Sequence, residues 1–222
     1  MLPLQDQKRL PGLAAVTYLL IAINVYVFYL ELSAIDIEAF IAKFALIPSQ
    51  FLLSNPASWP PLITSQFLHG GWFHLITNLW FLAVFGPNME RAWGSARFLI
   101  YYLSAGIAAA FLQLLFTTQA DIAILGASGA IAGILGAYFV YFAHHKISTL
   151  IPLGFIPFFI GIPAGLILIY WFGLQIFGGF YASPSELGGV AFFAHIGGFL
   201  AGVVLAIATR PRGDIAKHTS FV

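Results

Sequence analysis

Cysteine is absent from the 222 residues. That excludes thiolate metal sites and thiol catalysis and says nothing about the redox compartment. Charge is scarce too: 8% of residues are charged and the formal net charge is +1, too little and too balanced for a nucleic-acid binder. What fills the chain is apolar. With 60% hydrophobic residues and a mean hydropathy of +0.93, it cannot present a water-soluble surface of ordinary polarity and is expected in a bilayer, as a single membrane domain over residues 1–222.

Apolar runs lie at about 13–30, 73–87, 98–116, 122–142, 150–177 and 190–208. Each is near the ~20 residues a helix needs to cross the hydrocarbon core. They predict an all-α integral membrane protein, a bundle of six transmembrane helices with a long outer loop over 31–72 and short tails over 1–12 and 209–222. The second run is short, and Pro152, Pro157 and Pro163 interrupt the fifth. The first run reads as a retained span rather than a cleaved signal. With the N-terminus in the cytoplasm, Lys8, Arg9, Arg91, Arg97, Lys146, Arg210, Arg212 and Lys217 fall inside and only Lys43 falls outside, as the positive-inside rule asks. In the outer loop, Trp59, Phe67, Trp72 and Phe73 stand among prolines and glycines, which suggests a folded, partly interfacial element.

Polar groups at membrane depth are few, and each needs a reason to be there. The second span opens with HGGWFHLITNLW, holding His69, His74 and Asn78; the fourth holds Ser128 in ILGASGAIAGILGAY; the sixth holds His195 in FFAHIGGFLAG. These three spans run from outside to inside, so His74, Asn78, Ser128 and His195 are expected in one layer, roughly 5–12 Å below the outer end. His74 and Asn78 share a helix face. Gly126, Gly129, Gly133 and Gly136 on one span, with Gly198 and Gly202 on another, form the small-residue stripes that let membrane helices pack backbone to backbone. Such packing would bring Ser128 within reach of His195, and an imidazole that removes its proton makes serine a nucleophile. Taken singly, a serine in such a helix is ordinarily a packing residue bonded to its own backbone, and a histidine in a span also serves as an interhelical bond, a haem ligand or a proton path. The coincidence of depth favours a site.

The combination resembles the rhomboid family of intramembrane serine proteases. The resemblance rests on HGGWFHLITN, on GASG around Ser128, on AHIGGFLAG from His195 through Gly198 to Gly202, and on GPNMERAWG, where Gly86, Glu90 and Gly94 recur at four-residue spacing. It implies Ser128 as nucleophile and His195 as general base and then acid. His74, Asn78 and the Ser128 backbone N–H would stabilise the oxyanion, and His69, Gly126, Gly129, Gly198, Gly202 and Glu90 would support the site. The implied partners are transmembrane protein substrates and membrane lipids, with no cofactor and no metal.

No acidic residue is evidently placed to orient His195, so a Ser-His dyad is expected, with Asp121 the nearest challenger. Two departures from the family pattern stand out. An aromatic residue one turn after the serine is replaced by Ala132, and the outer loop has Trp59 followed by Pro60 where a Trp-Arg pair is frequent. The expected substrate is a single-span protein whose outer helical end unwinds easily, entering laterally past the fifth span, with the loop GGFYASPSELGG as a movable cap. A catalytically silent client-binding protein and a small channel or transporter are the competing classes. Members of the first usually lack the serine or the histidine, and the second finds no inverted repeat and no midplane acid. The expected location is a prokaryotic cytoplasmic membrane.

Overall fold

The computed structural model describes residues 2–153, 156–181 and 191–209. Eight helices and three strands appear among them. Strand β1 (Leu2–Asp6) leads into helix α1 (Ala15–Ser33), and the connection that follows holds α2 (Ile37–Phe44), α3 (Pro61–Thr64) and three single 3-10 turns. Then come α4 (Trp72–Trp93), α5 (Ser95–Phe116), α6 (Ser128–Phe142), the hairpin strands β2 (Lys146–Leu153) and β3 (Ile156–Pro163), α7 (Ala164–Tyr181) and α8 (Phe192–Ala208).

The helices follow the apolar runs, though not all at the expected length. Helices α1, α5 and α7 are long and apolar enough to cross a membrane. Helices α6 and α8 are apolar but have only 15 and 17 residues, whereas α4 has 22 and carries Glu90 and Arg91 near its C-terminal end. The run at 122–142 is helical only from Ser128; ahead of it Ile124 forms an isolated antiparallel bridge with Leu46. At 1.5 Å per residue α6 is about 22 Å long beside about 33 Å for α5.

The fifth run required correction. Its first half is not helix: Lys146–Leu153 and Ile156–Pro163 pair antiparallel, from Lys146 opposite Pro163 to Leu153 opposite Ile156. Prolines 152 and 157 lack the N–H a helix interior needs, and the β-branched residues around them suit a strand. Helix starts only after Pro163. The expected 1–12 tail is likewise structured, since β1 adds to this hairpin in the order β1-β2-β3 and pairs Leu2 with Leu150 and Asp6 with Ile147. Arg210, Arg212, Lys217 and most of the expected cap loop lie outside the described residues.

The connection between α1 and α4 contains α2, α3 and three 3-10 turns. Asp36 caps α2 through the Ala39 N–H, and Phe67 packs against the main core, while Trp59, Trp72 and Phe73 stay exposed. At the opposite end, the Glu90 carboxylate accepts the Val16 and Thr17 N–H groups at 3.0 and 2.7 Å and the hydroxyls of Thr17 and Ser95 at 2.8 and 2.7 Å. Glu90 thus caps the start of α1, which has no side-chain cap of its own. It supports the bundle, far from the polar layer.

The closest helix pair is α6 with α8. A methyl group on Gly198 would meet the carbonyl of Gly129, one on Gly202 that of Gly133, and one on Gly136 that of Phe199. Contacts advance along both helices together, so the two run parallel, with backbones touching as the glycine stripes predicted. Ser128 and His195 therefore start from the same end of the pair.

Candidate active site

A cavity of about 820 Å³ opens among α4, α5, α6, α7 and α8, and its wall includes His74, Asn78, Gln113, Ser128, Trp171 and His195. The four polar residues read from the sequence as one layer are thus brought together. His69 is buried just behind them, its ring edge-on to that of His74 at 5.2 Å.

Ser128 is the first residue of α6, rather than lying within the helix, because the chain before it turns sharply at Gly126. Gly126 has φ +120°, a conformation side chains rarely adopt. A Cβ there would also sit 2.8 Å from His74 Nε2 and 3.7 Å from Ser128 Oγ. Glycine therefore serves both the turn and the approach of His74 to the serine. The Gly126 N–H is held by the Ser65 carbonyl at 2.9 Å, which ties the outer connection to the site. The Ile131 N–H bonds back to Ala127 at 2.9 Å, so the N–H groups before it are the unpaired donors that begin any helix, here beside the cavity.

The two cavity histidines are held in opposite senses. At His74, Nδ1 faces the Gly70 N–H at 3.4 Å and so is the acceptor nitrogen, leaving Nε2 to carry the proton on the side of Gly126 and Ser128. At His195, Nδ1 faces the Gln175 carbonyl oxygen at 2.7 Å. An amide oxygen only accepts, so Nδ1 carries the proton and the neutral ring has its lone pair on Nε2. One ring is a donor at Nε2 and the other an acceptor. Asn78 adds a further donor: its Nδ2 is buried without a partner among the described residues. No hydrogen bond joins Ser128 to His195 among the described residues in this resting geometry. Such bonds commonly tighten only when substrate binds.

Behind the cavity wall, His69 is fixed by its backbone N–H to both oxygens of Glu31, at 3.2 and 3.1 Å, and by Nδ1 against the Phe67 carbonyl at 3.3 Å. His69 is buried and serves as packing for His74. Gly129, Gly198 and Gly202 act as spacers between α6 and α8. Asp121 is exposed and forms no bond to His195.

Three residues that sequence reasoning passed over complete the site. Gln175 meets His195, the Trp171 ring lies against the same imidazole at 5.8 Å and 36°, and Gln113 Oε1 accepts the Ala194 N–H at 3.0 Å at the start of α8. Trp171 supplies from α7 the aromatic face that Ala132 cannot supply from α6. Their signal in the sequence is slight: amides and a tryptophan inside apolar runs, with nothing local to say which face of α7 meets α8.

A mostly helical chain with candidate membrane spans, whose apolar helices converge on a serine, two oppositely held histidines and a buried amide, defines a narrow class of membrane protein. The chain belongs to the rhomboid family: the Rhomboid domain matches residues 56–212. It is 30% identical over 193 residues to "Rhomboid protein 1, mitochondrial" of Saccharomyces cerevisiae, covering 84% of this chain and 51% of that protein. To "Rhomboid protease GluP" of Bacillus subtilis it is 32% identical over 200 residues, covering 89% and 35%. To "RHOMBOID-like protein 6, mitochondrial" of Arabidopsis thaliana it is 32% identical over 148 residues, covering 65% and 41%. The chain spans about half the length of these relatives or less.

Proposed function

We propose that this chain is a six-span intramembrane serine endopeptidase in which Ser128 and His195 form a catalytic dyad. The observation that carries the reading is the different partner of each cavity histidine: His74 Nδ1 faces a donor, the Gly70 N–H, and His195 Nδ1 faces an acceptor, the Gln175 amide oxygen. His195 Nε2 takes the Ser128 hydroxyl proton as Oγ attacks the scissile carbonyl carbon. The resulting oxyanion is met by the His74 Nε2–H, the Asn78 amide and the Ser128 N–H, donors in place before the charge develops. The imidazolium then passes its proton to the departing amine, leaving an acyl-serine. A water, deprotonated by the same nitrogen, hydrolyses that ester and restores Ser128.

The cavity lies at the outer end if Lys8, Arg9, Arg91, Arg97 and Lys146 face the cytoplasm, here that of a prokaryotic cell. The substrate is then a single-span membrane protein cut near its outer helical end, where the helix must unwind to expose a peptide bond. Entry is lateral, past α7; crosslinking α7 to α4 through cysteines introduced into this cysteine-free chain is expected to stop cleavage. Unchanged cleavage after crosslinking would remove that route.

The dyad is tested by cleavage of single-span model substrates in liposomes, with Ser128→Ala and His195→Ala as parallel samples. Both are expected to be silent and folded. If wild type cuts none of several substrates with unstable helices, or Ser128→Ala cuts equally well, a client-binding role replaces the protease reading.

A further inference from the structure

Expectation from the sequence left His195 without an orienting group, because no acid is near and Ala132 offers no ring. We infer that Gln175 is the positioning residue of His195, holding from α7 the place that a carboxylate holds in a Ser-His-Asp triad. This deepens the dyad reading and rests on it.

The Gln175 side chain is 8% exposed, and both ends of its amide are engaged. Nε2 donates to the Trp171 carbonyl at 3.2 Å, one turn back on the same helix. That bond fixes which way the amide faces: with nitrogen on the carbonyl, oxygen must point at His195, where it receives Nδ1–H at 2.7 Å. The imidazole is thereby held as the Nδ1–H tautomer, with Nε2 free to take a proton. Trp171 and Gln175, four residues apart on one helix face, act as a pair, one lying against the ring and the other bonding its edge.

A neutral amide also suits the solvent. A buried carboxylate at membrane depth would carry a desolvation cost that a glutamine avoids while still offering an acceptor. The two kinds of acceptor differ in a measurable way, since only the tautomer-fixing part of the triad aspartate's role is kept. Because Gln175 belongs to α7, the orientation of the base depends on that helix being seated against α8.

The test uses the full chain with [15N]histidine in micelles, comparing wild type, Gln175→Leu and Gln175→Glu, with His195→Gln to assign the signals. Wild-type His195 is expected to show a protonated Nδ1 and an unprotonated Nε2. Gln175→Leu, of similar size but without an acceptor, is expected to lose that single-tautomer pattern. Its kcat for a single-span substrate should fall on the order of 10–100-fold while KM stays within about twofold, the scale at which outer partners of a functional histidine act. Gln175→Glu, which restores an acceptor, should recover most of the lost kcat. An Nδ1 that is unprotonated in wild type would overturn the proposal, and this holds even if the leucine variant does not fold. So would a leucine variant that keeps both tautomer and kcat. If wild type cuts no substrate, the protease reading falls, and the nitrogen pattern, read without substrate, still decides whether Gln175 positions the ring.

Discussion

Asn78 carries a buried amide nitrogen with no partner among the described residues. An orphaned donor of this kind ordinarily costs about 1–3 kcal/mol, so a fold retains it when something other than stability is served. In the proposed mechanism that something is an oxyanion present only during the reaction. Asn78→Ala is then expected to lower kcat on the order of 10²–10³-fold with little change in KM, as removal of one such donor does. Thermal unfolding in micelles should show a midpoint equal to or above that of wild type, because the unpaired group is gone. Loss of activity together with loss of stability would instead mark Asn78 as structural. Most of the site was legible at this scale: a serine, two histidines and an asparagine stand out in apolar spans because each is costly there. Gln175 is not legible in this way, for a physical reason. Its significance lies in a contact between α7 and α8 across 20 positions of chain, and no local pattern encodes which face of α7 meets His195.

Glycine spacing makes the α6–α8 contact legible in the sequence, and its energetics can be tested against a glycine in open surroundings. A Cβ at Gly202 would run into the Gly133 carbonyl, a backbone atom that cannot rotate away, whereas one at Gly173 on α7 meets nothing within 4 Å. Gly202→Ala is therefore expected to destabilise by about 1–3 kcal/mol through overpacking. Gly173→Ala should be neutral or stabilising by about 0.4–1 kcal/mol, having only the helical preference of alanine to express. Equal unfolding midpoints for the two variants would mean that the helices part without cost. The Glu90 cap gives a second contrast: Glu90→Ala strands four donors and is expected to cost about 2–4 kcal/mol, with Glu90→Gln milder because one acceptor oxygen remains. Where helix and strand share the same apolar composition, the sequence was least informative. The run at 150–177 satisfies a hydropathy window as well as a span does, and its first part is nevertheless a hairpin, to which β1 adds from more than 140 residues earlier.

Across the whole molecule, the sheet joins segments that are distant in the chain. Strand β3 runs directly into α7, while β1 lies along α4, where the Trp80 indole donates to the Pro3 carbonyl. Asp6 is the knot. Its carboxylate meets His145 Nδ1 at 2.8 Å, the Asn88 amide and the Tyr138 hydroxyl, and it also receives the Lys8 N–H at 2.8 Å, so it ties β1 to α4, to α6 and to the turn into β2. Removing one member of such a buried set leaves the others unpaired, and Asp6→Ala is expected to cost about 3–5 kcal/mol. The pH dependence identifies the cause. Burial alone would raise the Asp6 carboxyl, but the hydrogen bonds from His145, Tyr138 and the Lys8 N–H outweigh it and hold the group below the usual carboxylate range. A carboxyl lowered on folding contributes its stability above its unfolded value of about 4 and loses it as pH falls through the folded value. The difference in unfolding midpoint between wild type and Asp6→Ala, measured in micelles, should therefore be full above about pH 5 and shrink as pH drops below about 4. A gap that stays constant through that window would show that Asp6 acts by shape, and the sheet would then be held by its backbone pairing rather than by this charge.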